Sequence, residues 1–205
     1  MRNYIMKKDV KILNKAVMYD GFFKMEKYHL QHSLFAGGWS GEMARELFVR
    51  GNCVAVVLYD PARDEVVLIE QFRVGAMENS INTPWLIEIV AGIMEDNETP
   101  QEVAVRESLE EAGCVIDKLI PIQTFYLSPG GSSEKITLFC GLTQTENVGG
   151  LHGVAHENED ILVRATPFLE AYERVLRNEI DSAIPVIALQ WLALHRLELD
   201  KFYAA

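Results

Sequence analysis

Four glutamates, one arginine and two glycines stand at fixed spacing between Ala91 and Cys114: Gly92, Glu98, Arg106, Glu107, Glu110, Glu111 and Gly113. Glu107 and Glu111 are four residues apart, so on a helix they are neighbours, with Glu110 beside them. Like charges at that spacing oppose helix formation by about 0.2–0.5 kcal/mol per pair. Arg106 brings one cationic group to several carboxylates, too little to neutralise them all. A hard divalent cation would compensate: Mg²⁺ prefers carboxylate oxygen, keeps several waters and bridges protein to substrate phosphates. The bland alternative is a solvated acidic helix face, the usual meaning of a charge run.

The element that holds these side chains is marked in the sequence. Thr99 and Glu102 make a capping box, Pro100 suits the first helical position, and Gly113 suits the left-handed position past the end. At about 100° per residue, Val103, Arg106, Glu107, Glu110 and Glu111 crowd one side of the helix. Ala104, Val105, Ser108, Leu109 and Ala112 fill the other, which is expected to pack on a core. Upstream, VAVVLY and VVLIEQF are apolar on both faces and read as central strands, Cys53 to Tyr59 and Glu65 to Gln71. A further strand is expected from Trp85 to Val90. Glu88 within it is an exposed strand end or a ligand, and the residues alone leave both open.

The remaining chain alternates similarly. Val10 to Met18 and Phe22 to Leu30 read as strands joined by the Asp20-Gly21 turn, and Glu42 to Arg50 as a third. Residues 1–50 hold too little apolar material for a core of their own and need a partner surface, from residues 51–205 or a second subunit. Past the acidic helix, Ile116 to Leu127, Lys135 to Leu142 and Ile161 to Ala165 read as strands, with Thr143 to Asp160 a loop. Pro167 to Asn178 and Ser182 to Glu198 read as helices. Interleaved strands and helices imply an α/β fold with a sheet between helices. The 205 residues suit one domain with an appendage, or two small ones, and 49% hydrophobic content is ample for a core. A net charge of −11 argues against nucleic-acid or membrane binding. Three isolated cysteines, and no evident signal peptide or membrane span, point to a reducing, cytoplasmic setting.

The spacing matches G-x5-E-x7-R-E-U-x-E-E-x-G-U, where U is bulky and apolar, and so resembles the signature of the Nudix hydrolases. All seven named positions are met, and such a match arises by chance roughly once in 10⁵ chains of this length. Ser108 and Cys114 depart mildly at the U positions, which concerns packing rather than chemistry. The resemblance implies an α/β/α sandwich with a mixed sheet, preceded by a small N-terminal antiparallel sheet. SPGGSSE, with Pro129 sixteen residues after Gly113, and HGVAHENED, from His152 to Asp160, resemble the bacterial ADP-ribose pyrophosphatase branch.

That resemblance implies hydrolysis of ADP-ribose to AMP and ribose 5-phosphate, with Mg²⁺, or Mn²⁺ in its place. It implies metal ligation by Glu107, Glu111, Glu159 and the Ala91 carbonyl, and proton abstraction from water by Glu157. Its substrate contacts map onto Phe22, Phe23, Arg45, Glu46, Arg50, Arg73, Ile93, Ser128, Pro129, Gly130 and Glu134. It implies a homodimer that exchanges N-terminal strands. Two alternatives stay open: another nucleoside diphosphate sugar such as GDP-mannose, or a non-catalytic ligand sensor on the same scaffold.

Overall fold

The computed structural model describes residues 8–78, 83–154, 156 and 158–202. The chain forms two units, Met1–Gly51 with Tyr126–Lys135, and Asn52–Phe125 with Ile136–Ala205.

In the first unit, β1 (Val10–Asp20), β2 (Lys24–His32) and β3 (Met43–Val49) make an antiparallel sheet in that order. The connection from β1 to β2 is three residues, Gly21, Phe22 and Phe23, with Asp20 paired to Lys24 rather than placed in the turn as the Asp20-Gly21 pair suggested. β1 is exposed along almost its whole length, including Ile12, Val17, Met18 and Tyr19. Tyr126–Lys135 meets β3 through Phe48, whose N–H donates to the Gly131 carbonyl at 2.8 Å and whose carbonyl accepts from Ser133 at 3.1 Å.

The second unit is built on the apolar runs. β4 (Asn52–Asp60) is buried from Cys53 onward, and β5 (Glu65–Phe72) is buried from Val66 to Ile69 and at Gln71. With β6 (Trp85–Glu88), β7 (Val90–Ile93), β8 (Lys118–Tyr126), β9 (Lys135–Leu142), β10 (Gly149–His152) and β11 (Ile161–Pro167) they form one sheet, ordered β10-β11-β5-β4-β9-β8. β4 and β5 pair only near their turn. Beyond it β6 pairs with β5 and β7 with β4. The expected single strand from Trp85 to Val90 is therefore two, divided at Ile89, because its halves serve different partners. The expected loop 143–160 contains β10, whose glycines hid it from a reading based on β-branched content.

Helix α1 (Pro100–Ala112) covers one face. Val103, Ala104 and Ala112 join Val54, Val56, Leu58, Val67, Ile69, Val90, Ile161 and Val163 in a buried cluster. The other β4 face is also closed: Ala55 and Val57 are fully buried and Tyr59 is 3% exposed. Helices α2 (Phe168–Leu176) and α3 (Ala183–His195) contribute Phe168, Ala171, Ala188, Leu189 and Leu192 to the buried set. This is the expected α/β/α arrangement, with a small antiparallel sheet ahead of it in the chain. Asp60, 4% exposed at the end of β4, accepts from the N–H groups of Ala62, Arg63 and Thr145 and from the Thr145 hydroxyl. It ties the β4–β5 turn to the segment after β9.

Candidate active site

The caps of α1 are those its sequence asks for. Thr99 Oγ1 accepts from the Glu102 N–H, the Glu102 carboxylate accepts from the Thr99 N–H, and Gly113 closes the helix at φ +63°. A Cβ at Gly113 would stand 2.7 Å from the His152 ring, so glycine is needed for space as well as for conformation. The buried side differs from the expected one. Val105 is 51% and Leu109 58% exposed, whereas Glu111 is 3% exposed. The helix buries its small residues, Ala104, Ser108 and Ala112, and turns Glu111 towards β7. Ser108 fits this close packing because its hydroxyl donates back to the Ala104 carbonyl at 2.7 Å.

Glu111 Oε2 accepts from the Ala91 N–H at 2.9 Å. The backbone at Gly92 passes so close to Glu107 that any Cβ there would overlap its carboxylate. Arg106 gathers the rest: its guanidinium donates to both oxygens of Glu98 at 2.9 and 3.1 Å, to Glu107 at 2.7 Å and to Glu110 at 3.0 Å. Burial pushes the Glu111 carboxyl up to about 8, against the Ala91 hydrogen bond and with help from the charges of Glu107 and Glu159. Glu107 is raised too, first by burial and then by Glu110 and Glu159, despite Arg106. These mutual effects place Glu159 in the same field as the helix carboxylates.

Oxygen donors of this kind suit a hard divalent cation, and the unrelieved charge among them is what such an ion would neutralise. In this arrangement the carboxylates are turned to protein donors: Glu107 to Arg106, Glu111 to Ala91, and Glu159 to the Val154 N–H at 3.1 Å. Accordingly, among the described residues no three His, Cys, Asp or Glu side chains converge on one ion position. Side-chain rotation away from these donors would be part of loading. Glu157 lies outside the described residues.

The end of β5 adds polar groups to the α1 face. Side chains alternate along a strand, so Gln71 and Arg73 follow Val67 and Ile69 on that face. Ile69 is paired with Glu88, which shares it. Arg73 Nε donates to Glu88 Oε2 at 2.7 Å, and its charge favours ionised Glu111. Glu88, left open by the sequence, is therefore an inward carboxylate with a partner. Gln71 was not anticipated. It is 7% exposed, and its Nε2 is buried with no hydrogen-bond partner among the described residues, an arrangement that costs about 1–3 kcal/mol. The signal available in the sequence was one amide on an otherwise apolar strand face. Ile93, at the end of β7, is 40% exposed. A cavity of about 380 Å³ opens elsewhere, past the C-terminal end of α1, lined by Gly113, Asp117, Glu146 and His152, and includes none of the candidate ligands.

The other expected substrate contacts belong to the first unit. Phe23 packs edge-on to both Phe22 and Phe48, and the Arg50 guanidinium lies 4.5 Å from the Phe23 ring centre. Arg50 also pairs with Glu134 at 2.8 Å, and its backbone N–H donates to Ser133. The structure thus brings Phe22, Phe23, Arg50 and Glu134 together beside the Ser128–Gly130 turn, where the Ser128 carbonyl accepts from Gly131 and Ser132. Arg45 and Glu46 do not join them through any direct bond: both are exposed on β3, and Arg45 Nη1 donates to the Ala44 carbonyl.

The NUDIX domain family matches residues 49–204. The chain belongs to this family. It is 44% identical over 198 residues to the ADP-ribose pyrophosphatase of Escherichia coli (strain K12), covering 97% of this chain and 94% of that one. The ADP-ribose pyrophosphatase of Haemophilus influenzae is 42% identical over 200 residues, with 97% and 92% covered. The GDP-mannose pyrophosphatase of Enterobacter sp. (strain 638) is further off, at 33% over 196 residues, with 92% and 97% covered. A solved structure described as an ADP compounds hydrolase superposes with a TM-score of 0.68 at 21% identity, covering 91% of this chain and 96% of that one, which supports the fold.

Proposed function

We propose that this protein hydrolyses the diphosphate of ADP-ribose, giving AMP and ribose 5-phosphate. The observation that carries the reading is the cluster of Glu107, Glu111 and Glu159 beside the Ala91–Gly92 backbone, in a chain 44% identical over 97% of its length to an ADP-ribose pyrophosphatase. Glu107, Glu111, Glu159 and the Ala91 carbonyl would hold Mg²⁺, or Mn²⁺ in its place. When bound, such ions neutralise the diphosphate and lower the pKa of water. Arg106 fixes the helix carboxylates by charge-assisted bonds. Glu157 accepts the proton of the attacking water, and its place in a glycine-bearing loop would let it move in with substrate. Arg73, Ile93, Phe22, Phe23, Arg45, Glu46, Arg50, Ser128, Pro129, Gly130 and Glu134 are assigned to substrate binding.

The protein acts as a homodimer in this reading, since Ile12, Val17, Met18 and Tyr19 leave an exposed apolar strand in the first unit. A cytoplasmic setting suits the free thiols of Cys53, Cys114 and Cys140. No described helix is long and apolar enough to cross a membrane. The test is product analysis by mass spectrometry in ¹⁸O-labelled water with Mg²⁺ across a panel of nucleoside diphosphate sugars. AMP and ribose 5-phosphate from ADP-ribose, one of them labelled, are expected. Faster cleavage of GDP-mannose, or inertness towards every diphosphate, would overturn the reading.

A further inference from the structure

We propose that Gln71 is a binding residue of this site, and that its side-chain amide donates a hydrogen bond to an oxygen of the substrate's diphosphate. The assignment rests on the diphosphate-hydrolase reading above.

Position comes first. Gln71 follows Val67 and Ile69 on the β5 face that α1 covers, and both of those valine and isoleucine side chains belong to the cluster under the helix. The register of β5 against β11 sets Ile69 opposite Val163. It carries Gln71 to the level of Ile161, two residues after Glu159. The register against β6 puts Glu88 on the same face, one pair away. Arg73 is the next residue of that face, and its charge reaches Glu111. Gln71 thus stands at the polar end of the α1 face, where the site's carboxylates gather.

The second observation is the amide itself. Nε2 has neither solvent nor a hydrogen-bond partner among the described residues. A residue kept merely to fill the strand face would be apolar, like Val67 and Ile69. The chemistry of the surroundings says what the amide serves. Arg73 is already paired with Glu88, and Glu107, Glu111 and Glu159 of the same site are carboxylates. A second cation there would pair with a glutamate. A neutral donor can hydrogen-bond a phosphate oxygen without being captured by the carboxylates.

The test compares wild type with Gln71→Met and Gln71→Glu, using calorimetry with the non-hydrolysable α,β-methylene analogue of ADP-ribose and Mg²⁺, calorimetry with Mg²⁺ alone, and melting of the ligand-free protein. Gln71→Met should bind the analogue about 10- to 100-fold more weakly, the range for a hydrogen bond to a charged group. Gln71→Glu, of equal size but without the donor, should lose more. Mg²⁺ affinity should change by less than about threefold in the methionine variant, and that variant should melt no lower than wild type, because it removes an unpaired polar group. Analogue affinity within about twofold of wild type would overturn the assignment and leave the hydrolase reading standing. So would a melting point lowered by about 5 °C or more, which marks a structural role. A wild-type protein that does not bind the analogue would overturn both.

Discussion

Among the described residues of the second unit two carboxylates are buried, and their surroundings could hardly differ more. Asp60 is 4% exposed and is met by three backbone N–H groups and a hydroxyl. Burial opposes its charge, yet the donors from Thr145, Ala62 and Arg63 outweigh it and hold the carboxyl below its ordinary value. Glu111 is 3% exposed and is met by one N–H, with Glu107 and Glu159 adding repulsion. The fold has solved the electrostatics of Asp60 and left those of Glu111 unsolved. A satisfied carboxylate fastens two segments together. An unsatisfied one, buried beside two others, is a place where a cation binds with gain.

The largest expected effect follows from breaking the second case. Glu111→Gln keeps the size of the side chain and its acceptor for the Ala91 N–H, so the fold should hold. Turnover of ADP-ribose should fall by about 10³-fold or more, the scale of losing one electrostatic stabiliser of a reacting centre. Steady-state kinetics together with circular dichroism would check both halves. Activity within several-fold of wild type would remove Glu111 from the proposed metal site.

The two carboxylates should also give opposite pH dependence. Glu111 has a folded-state pKa of about 8 against an ordinary 4.5, so the folded, metal-free protein binds the extra proton. Its stabilising contribution is complete below 4.5 and is lost as pH rises towards 8, up to roughly 3–5 kcal/mol. Denaturant midpoints of metal-free protein across that window should therefore fall with pH, and fall less in Glu111→Gln. Asp60 runs the other way: its pKa is lowered from 3.8, so its contribution is present above that value and is lost as pH drops below it. A wild-type midpoint that rises across the upper window would contradict the contrast.

This comparison also shows what could be read without a structure. The capping of α1 was legible because Thr99, Pro100, Glu102 and Gly113 act on their own local backbone. β4 and the Val66–Ile69 run of β5 were legible because backbone buried on both faces carries apolar side chains there. The carboxylates of α1 were legible as a pattern, but their orientation was not. An amphipathic reading sends valine and leucine inward, whereas here Val105 and Leu109 face out and Glu111 faces in. The site needs a charged group at the sheet, and small residues let the helix approach. Gln71 and Asp60 gave no such pattern, since each is a single polar residue in or beside an apolar run. Their meaning depends on partners, and Thr145 is eighty-five positions from Asp60 in the chain.

Asp60→Asn breaks the first case. The amide keeps an acceptor for Ala62 and Arg63 but turns an NH₂ group towards the Thr145 N–H, donor against donor in a buried place, while the Thr145 hydroxyl can give its proton to Glu65 and accept from the NH₂. The expected cost is about 2–3 kcal/mol in denaturant unfolding, with turnover within about twofold of wild type. A loss of activity comparable to that of Glu111→Gln would mean that Asp60 is not merely a fastener.

The smallest effect sharpens the same point by removing one donor and leaving the acceptor. The Thr145 hydroxyl lies 3.0 Å from Asp60 Oδ2 and 2.5 Å from Glu65 Oε2, and it has a single proton to give. Thr145→Val keeps the shape and the backbone N–H, which donates to Asp60 at 2.9 Å. Three donors then remain on Asp60, so the loss should be about 1 kcal/mol, or some 2–4 °C in melting for a chain of this size. Because the main chain supplies most of what the carboxylate receives, the cost should stay well below that of Asp60→Asn. If the two variants melt together, the hydroxyl rather than the backbone is what keeps Asp60 charged, and the contrast with Glu111 rests on one side chain instead of on the way the chain is folded.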